Sequence, residues 1–125
     1  LARTGSLIIL ICNERHLNDE SSHLLRSLAA HSELILLPIS DPLEHHLPDL
    51  EHSRFSMGAH SLAIDASNTQ LHLQWQQQGA ACQNAWQTLA QHINAPLLPL
   101  STAHSVLTQL QNISLRKLNS AQSAP

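Results

Sequence analysis

Aromatic residues are scarce: the 125-residue chain has no Tyr, and Phe55, Trp75 and Trp86 are its only large planar groups. The core must therefore be filled by Leu, Ile and Ala. Charge is sparse as well, at 12% of residues with a formal net charge of -3. No basic stripe is available to hold phosphates, which sets nucleic acid aside as a partner. No apolar run approaches the roughly 18 residues that span a bilayer, and the opening Leu1-Ala2-Arg3-Thr4-Gly5 lacks the charged-then-apolar form of a secretion signal. The expectation is a cytoplasmic protein with no membrane partner. With only 3 Gly there is no glycine-rich phosphate loop, and neither a His-Glu-x-x-His nor a Gly-x-Ser-x-Gly pattern occurs. Cys12 and Cys82 lie far apart without a CxxC. They read as reduced, buried thiols, not as a disulfide framework or a zinc site.

What the chain does have is histidine, ten in all, enough to carry the formal charge from -3 to net positive in mild acid, near the imidazole pKa of roughly 6.5. Most are read as solvated surface positions. At 13.8 kDa the chain allows one domain and a modest core. Its organising stretch is Ser6-Leu7-Ile8-Ile9-Leu10-Ile11-Cys12-Asn13-Glu14, an unalternating apolar run that ends in polar groups. Such a run fits a central strand covered on both faces, as in a parallel sheet flanked by helices. In open α/β sheets the ligand crevice lies at the carboxyl ends of the strands. That places Cys12, Asn13 and Glu14 where a site should be.

Asn18, followed by Asp19 and Glu20, is placed to cap a helix whose apolar face is Leu24, Leu25 and Leu28 and which stops near His31-Ser32. Glu33-Leu34-Ile35-Leu36-Leu37-Pro38-Ile39 is a second buried strand, with Pro38 expected near its end because it cannot donate to a ladder. Together these form a βαβ unit with parallel strands and a right-handed crossover. Asp41-Pro42-Leu43-Glu44-His45-His46-Leu47-Pro48-Asp49 then reads as a rigid, non-regular connection at the same carboxyl edge. Alternation of Phe55 and Met57 before Gly58, and of Leu62 and Ile64 after it, predicts a small hairpin with one wet face.

Ser67 or Asn68 caps a long helix with one stripe, Leu71, Trp75, Cys82, Trp86, Leu89 and Ile93, ended by a left-handed Asn94 before Ala95-Pro96. Leu97-Leu98-Pro99-Leu100 is a third short strand, and Ser101-Thr102 caps a last helix with Val106, Leu107, Leu110 and Ile113 inward. Residues 116–125 form a polar tail, read as disordered where Asn119 to Pro125 become small and polar. The start at Leu1, with Leu1 to Thr4 reading like the end of an earlier element, points to a piece of a longer protein. The fold class is thus α/β, with three mostly parallel strands, flanking helices and a small hairpin.

Gly5-Ser6 entering an apolar strand, Asp41-Pro42-Leu43-Glu44 followed by Leu47-Pro48-Asp49, the hairpin, the long helix and Ser101-Thr102 after the last strand together resemble a known family. It is the C-terminal half of the bacterial domain-of-unknown-function family 58 (DUF-58), which is von Willebrand factor A-like. The resemblance spans roughly residues 1–115, and its sharpest part is the Asp-Pro-x-Glu-x-x-Leu-Pro pattern. It implies half of a Rossmann-type doubly wound sheet bearing a metal-ion-dependent adhesion site. It also implies work as an adaptor or assembly factor beside a MoxR-type AAA+ ATPase, and no enzymatic activity.

In that family the metal is held by an Asp-x-Ser-x-Ser loop after the first strand, a Thr from another loop, and an Asp after the strand corresponding to Leu7 to Ile11. The first two elements are absent here, and where the family usually shows Ser-Asp this chain has Cys12-Asn13. A thiol and an amide are poor replacements for the hard anionic oxygens Mg²⁺ prefers. Asn13 with Glu14 is the remaining metal-ligand pair, in a site incomplete here and holding Mg²⁺ only in the complete parent domain. The expected protein-binding surface is Asn13, Glu14, Arg15, Asp41, Glu44, Asp49, Ser101 and Thr102. The alternative is a small hydrolase-type enzyme using Cys12 with His16, or the cluster Glu44, His45, His46 and His52. Missing cover on the first strand's edge also implies pairing with a second copy, a homodimer through that edge.

Overall fold

The computed structural model describes residues 3–48, 53–57, 59–64 and 68–113. Two strands, β1 (Leu7–Asn13) and β2 (Glu33–Ser40), pair in parallel from Leu7 against Glu33 to Asn13 against Ile39. Between them α1 (Asp19–Ala29) begins on an Asn18 cap whose side chain accepts the Ser21 N–H while the Ser21 hydroxyl accepts the Asn18 N–H, a reciprocal capping box. A parallel pair needs such a crossover. The long helix α2 (Thr69–Ile93) starts on Asn68, which accepts from Gln70 and Leu71, and ends on Asn94 in the left-handed region at φ 53°. It leads into β3 (Leu100–Ser101), which pairs in parallel with β2, so the sheet order is β1-β2-β3. An antiparallel hairpin of Ser53–Met57 and His60–Ile64 forms separately, as the alternation predicts.

The core is Leu25 from α1, Leu34 and Leu36 from β2, and Trp86, Leu89 and Ala90 from α2, with Ile8, Leu10 and Cys12 of β1 packed against it. The predicted stripe of α2 faces inward at Trp86 and Leu89. Leu36 is fully enclosed. Both helices thus lie on the sheet face that carries Ile8, Leu10, Leu34 and Leu36. Right-handed crossovers that advance across a sheet in one direction place their helices on one side.

That geometry corrects the reading of the first strand. β1 is the edge of this sheet and β2 its centre. Leu7, Ile9 and Ile11 are 57%, 55% and 61% exposed, so little covers that side of β1 among the described residues. Glu33 donates to the carbonyl of Ser6, so the parallel alternation turns the N–H and C=O of Leu7, Ile9 and Ile11 away from β2. The same three residues therefore present bare backbone and bare side chain together.

Other local readings also change. Leu24 and Leu28 are exposed, leaving Leu25 with half-buried Ala29 as the contact stripe of α1; a three-stranded sheet is too narrow to cover more. Pro38 lies inside the central strand. Its missing N–H falls on the side of β3, between the Leu36 bonds to Pro96 and Leu98 and the Ser40 bond from Thr102. The ladder is accordingly split into a Leu36–Leu97 bridge and the Leu100–Ser101 strand. The last helix covers residues 106–113 and starts after a turn, so Ser101 and Thr102 do not cap it; Val106 and Leu107 are exposed. Asp49, His52 and the tail from 114 onward lie outside the described residues.

Two outcomes follow. Leu36→Ala should cost about 2–5 kcal/mol in urea unfolding, the range for emptying a tightly packed core site. The bare edge and face of β1 should make the chain self-associate in sedimentation velocity as concentration rises, with Ile9→Lys weakening the association. A monomer at every concentration would count against that edge as a pairing surface.

Candidate functional site

The segment after β2 is a single helical turn over Pro42–His45, not the irregular connection expected from its two prolines. Asp41 is its N-cap, Pro42 takes the first turn where no N–H is needed, and Glu44 stands at the third helical position. The Asp41 carboxylate accepts the Leu43 N–H at 2.9 Å, and the Glu44 carboxylate reaches back to the Asp41 N–H at 3.2 Å. This turn stands at the carboxyl ends of β1 and β2.

From there Glu44 extends to β1: the Asn13 amide donates to its Oε1 at 2.9 Å. The Asn13 carbonyl oxygen accepts the Arg15 N–H at 2.8 Å and so caps the short 3-10 turn Glu14–His16. Arg15 donates through Nη2 to the Glu44 backbone carbonyl at 3.0 Å, and its guanidinium lies 5.0 Å from the centroid of the Trp75 ring. The Trp75 indole N–H in turn reaches the Leu43 carbonyl at 2.8 Å. On the far side the Thr102 hydroxyl donates to Asp41 Oδ2 at 2.6 Å, while the Ser101 hydroxyl accepts the Ala103 N–H. Six of the eight predicted surface residues thus meet at one edge; Glu14 is corrected to a buried position, because its side chain turns inward beneath the edge, and Asp49 lies outside the described residues.

Beneath this edge lies a joint the sequence reading did not find. Glu14 is 5% exposed, its backbone carbonyl accepts the Trp86 indole N–H at 2.7 Å, and its carboxylate lies 2.9 Å from His45 Nε2. That nitrogen has no aligned hydrogen bond among the described residues, so the contact with Glu14 is one of proximity. His45 rests directly on Gly79, where a Cβ would come within 2.5 Å of Nδ1 and 3.2 Å of the His45 Cα. The seven-residue gap in the helix stripe between Trp75 and Cys82, with Gly79 in its middle, was the available signal.

The metal and enzyme readings can be tested on the same geometry. Asn13 spends its oxygen on Arg15 and Glu14 turns inward to His45, so the pair does not converge on a Mg²⁺ ion. Among the described residues no three of His, Cys, Asp and Glu gather as ligands. Cys12 packs toward the core, where burial pushes its thiol up, away from a nucleophilic thiolate, while His16 is exposed. Glu44, His45 and His46 diverge, to Asn13, Glu14 and Gln76 respectively. The Thr102 hydroxyl, and then the Leu43 N–H, hold the Asp41 carboxyl below the usual aspartate range.

No family of known sequences, no curated protein and no solved structure gives a significant match to this chain. No helix among the described residues is long and apolar enough to cross a membrane.

A lowered Asp41 pKa means that its stabilising contribution is present above the ordinary value of about 3.9 and is lost as pH falls through the lower, folded value. Thr102→Val should move the Asp41 carboxyl titration, followed by carbon NMR, upward; an unchanged midpoint would show that the hydroxyl is not the cause. Gly79→Ala should displace His45 and cost about 1–3 kcal/mol, as overpacking does, measured by urea unfolding.

Proposed function

We propose that this chain is the second half of a von Willebrand A-like doubly wound domain and serves as a non-enzymatic protein-interaction module. Its role is that of a cytoplasmic adaptor or assembly factor for a MoxR-type AAA+ ATPase. The observation that carries the reading is the state of the carboxyl edge, where Asn13, Arg15, Asp41, Glu44 and Thr102 are bonded to one another. A catalytic site needs a nucleophile, a base and a stabilising group converging on one point. A contact surface needs preorganised side chains whose ordering cost is met before the partner arrives.

The half-domain reading is supported by the exposed side chains of Leu7, Ile9 and Ile11 and by the outer edge of β1, which pairs with no strand among the described residues. In a doubly wound sheet, strands laid beyond that edge carry their helices over the opposite face. The adhesion-site metal does not fit the residues present, so recognition proceeds without it in this half.

Titration of a purified MoxR-type ATPase onto the full polypeptide tests the proposal. Saturable binding is expected that survives EDTA and is lost with Leu43→Arg, which alters a residue 52% exposed on the carboxyl edge. Leu107→Arg, at a residue 65% exposed beyond β3, should leave it unchanged. Absence of binding, or binding abolished by EDTA, would contradict the proposal.

A further inference from the structure

We infer that Arg15 is the anchor of the carboxyl-edge surface and that it takes a carboxylate from a short peptide segment of a protein partner, with an apolar neighbour of that carboxylate covering Leu43. The inference rests on the carboxyl edge being a protein-contact surface and adds the chemistry of what it contacts.

Charge points to an acidic group. Among the described residues Arg15 forms no ion pair; its one side-chain hydrogen bond goes to a neutral backbone carbonyl, that of Glu44. A guanidinium carries five N–H donors in a planar fork that matches a carboxylate two bonds at a time. Most of that fork is unspent. The nearby carboxylates are committed elsewhere, Glu44 to the Asn13 amide and the Asp41 N–H, Asp41 to the Thr102 hydroxyl and the Leu43 N–H, and Glu14 inward to His45. The described carboxylates at this edge are thus turned away from Arg15.

Preorganisation points to binding and not to a solvated charge. An arginine at a surface ordinarily loses much rotamer freedom when a partner fixes it. Here the guanidinium is already stacked on the Trp75 ring, and that ring is itself fixed by its N–H to the Leu43 carbonyl. Arg and Trp together, desolvated by a rim of apolar contact, are the composition of interface hot spots. Leu43, 52% exposed beside them, supplies that contact. A free small anion would use Arg15 alone, whereas a peptide carboxylate with an apolar neighbour also covers Leu43.

The test is selection of random dodecapeptides displayed on phage against the full 125-residue chain, with Arg15→Ala as the parallel bait. An enriched peptide is then synthesised and titrated by fluorescence polarisation. The expected result is enrichment of Asp or Glu beside Leu, Phe or Trp on the unaltered chain, absent on Arg15→Ala. The synthetic peptide should bind about tenfold or more weakly to that variant, the scale of a hot-spot loss. Arg15→Lys keeps the charge and the fold but not the planar fork, and should recover only part of the affinity. Far-ultraviolet circular dichroism of each variant separates lost binding from lost folding. Acidic sequences that bind Arg15→Ala equally well, or a selection that yields none on the unaltered chain, would overturn the inference. No ATPase is present in the selection, so it can succeed where ATPase binding fails, and the reverse.

Discussion

The Glu44 carboxylate holds together the ends of two strands that are far apart in the chain. Through one oxygen it receives the amide of Asn13 at the end of β1, and through the other it receives the N–H of Asp41 just past β2. Charge-assisted hydrogen bonds of this kind are roughly twice as strong as neutral ones. Because Asn13 also caps the turn that carries Glu14 and Arg15, the position of that turn depends on Glu44 as well. Below it, Glu14 accepts from Trp86 of the core through its backbone and faces His45 through its side chain. The upper edge and the core are thus joined through adjacent residues, Asn13 upward and Glu14 downward, which point to opposite sides as neighbours at a strand end do.

The sheet imposes the second constraint. Among the described residues β1 is packed on one side only, and its apolar residues divide between the two sides by parity. Ile8, Leu10 and Cys12 pack on the core, whereas Leu7, Ile9 and Ile11 meet solvent. A strand that alternated polar and apolar residues would be content at such an edge. This one does not alternate, and its sequence is that of a strand with cover on both faces. The mismatch between sequence and surroundings is the main physical support for reading the chain as half of a larger sheet.

Much of the architecture was legible in one dimension. The two parallel strands, the Asn18 and Asn68 caps, the stripe of α2 and the left-handed Asn94 all follow from local patterns whose physics is local. The Asp41-Pro42-Leu43-Glu44 segment carries a helix-start pattern, an N-cap acid followed by Pro and, three residues on, by Glu, but with Pro48 close behind it the same text also fits an irregular connection. β1 could not be placed at an edge from its own composition, because an apolar run does not say which neighbours the chain supplies. The pairing of Asn13 with Glu44, 31 residues apart, leaves no trace in either local sequence. The resting of His45 on Gly79 leaves only the gap in a helical stripe. The position of Asn13, Arg15, Asp41, Glu44, Ser101 and Thr102 at the carboxyl edge was therefore legible, while their bonding to one another and the burial of Glu14 were not.

The central claim is that these edge residues are spent on each other and form a fixed surface. A double-mutant cycle between Asn13 and Glu44, with Asn13→Ala, Glu44→Gln and the pair compared by urea unfolding, tests it most directly. The account predicts a favourable coupling energy of about 1–3 kcal/mol, the value of a hydrogen bond to a charged group in a part-buried site. Coupling near zero would mean that the two side chains are independent, and that the carboxylate of Glu44 is free to meet a metal or a ligand instead.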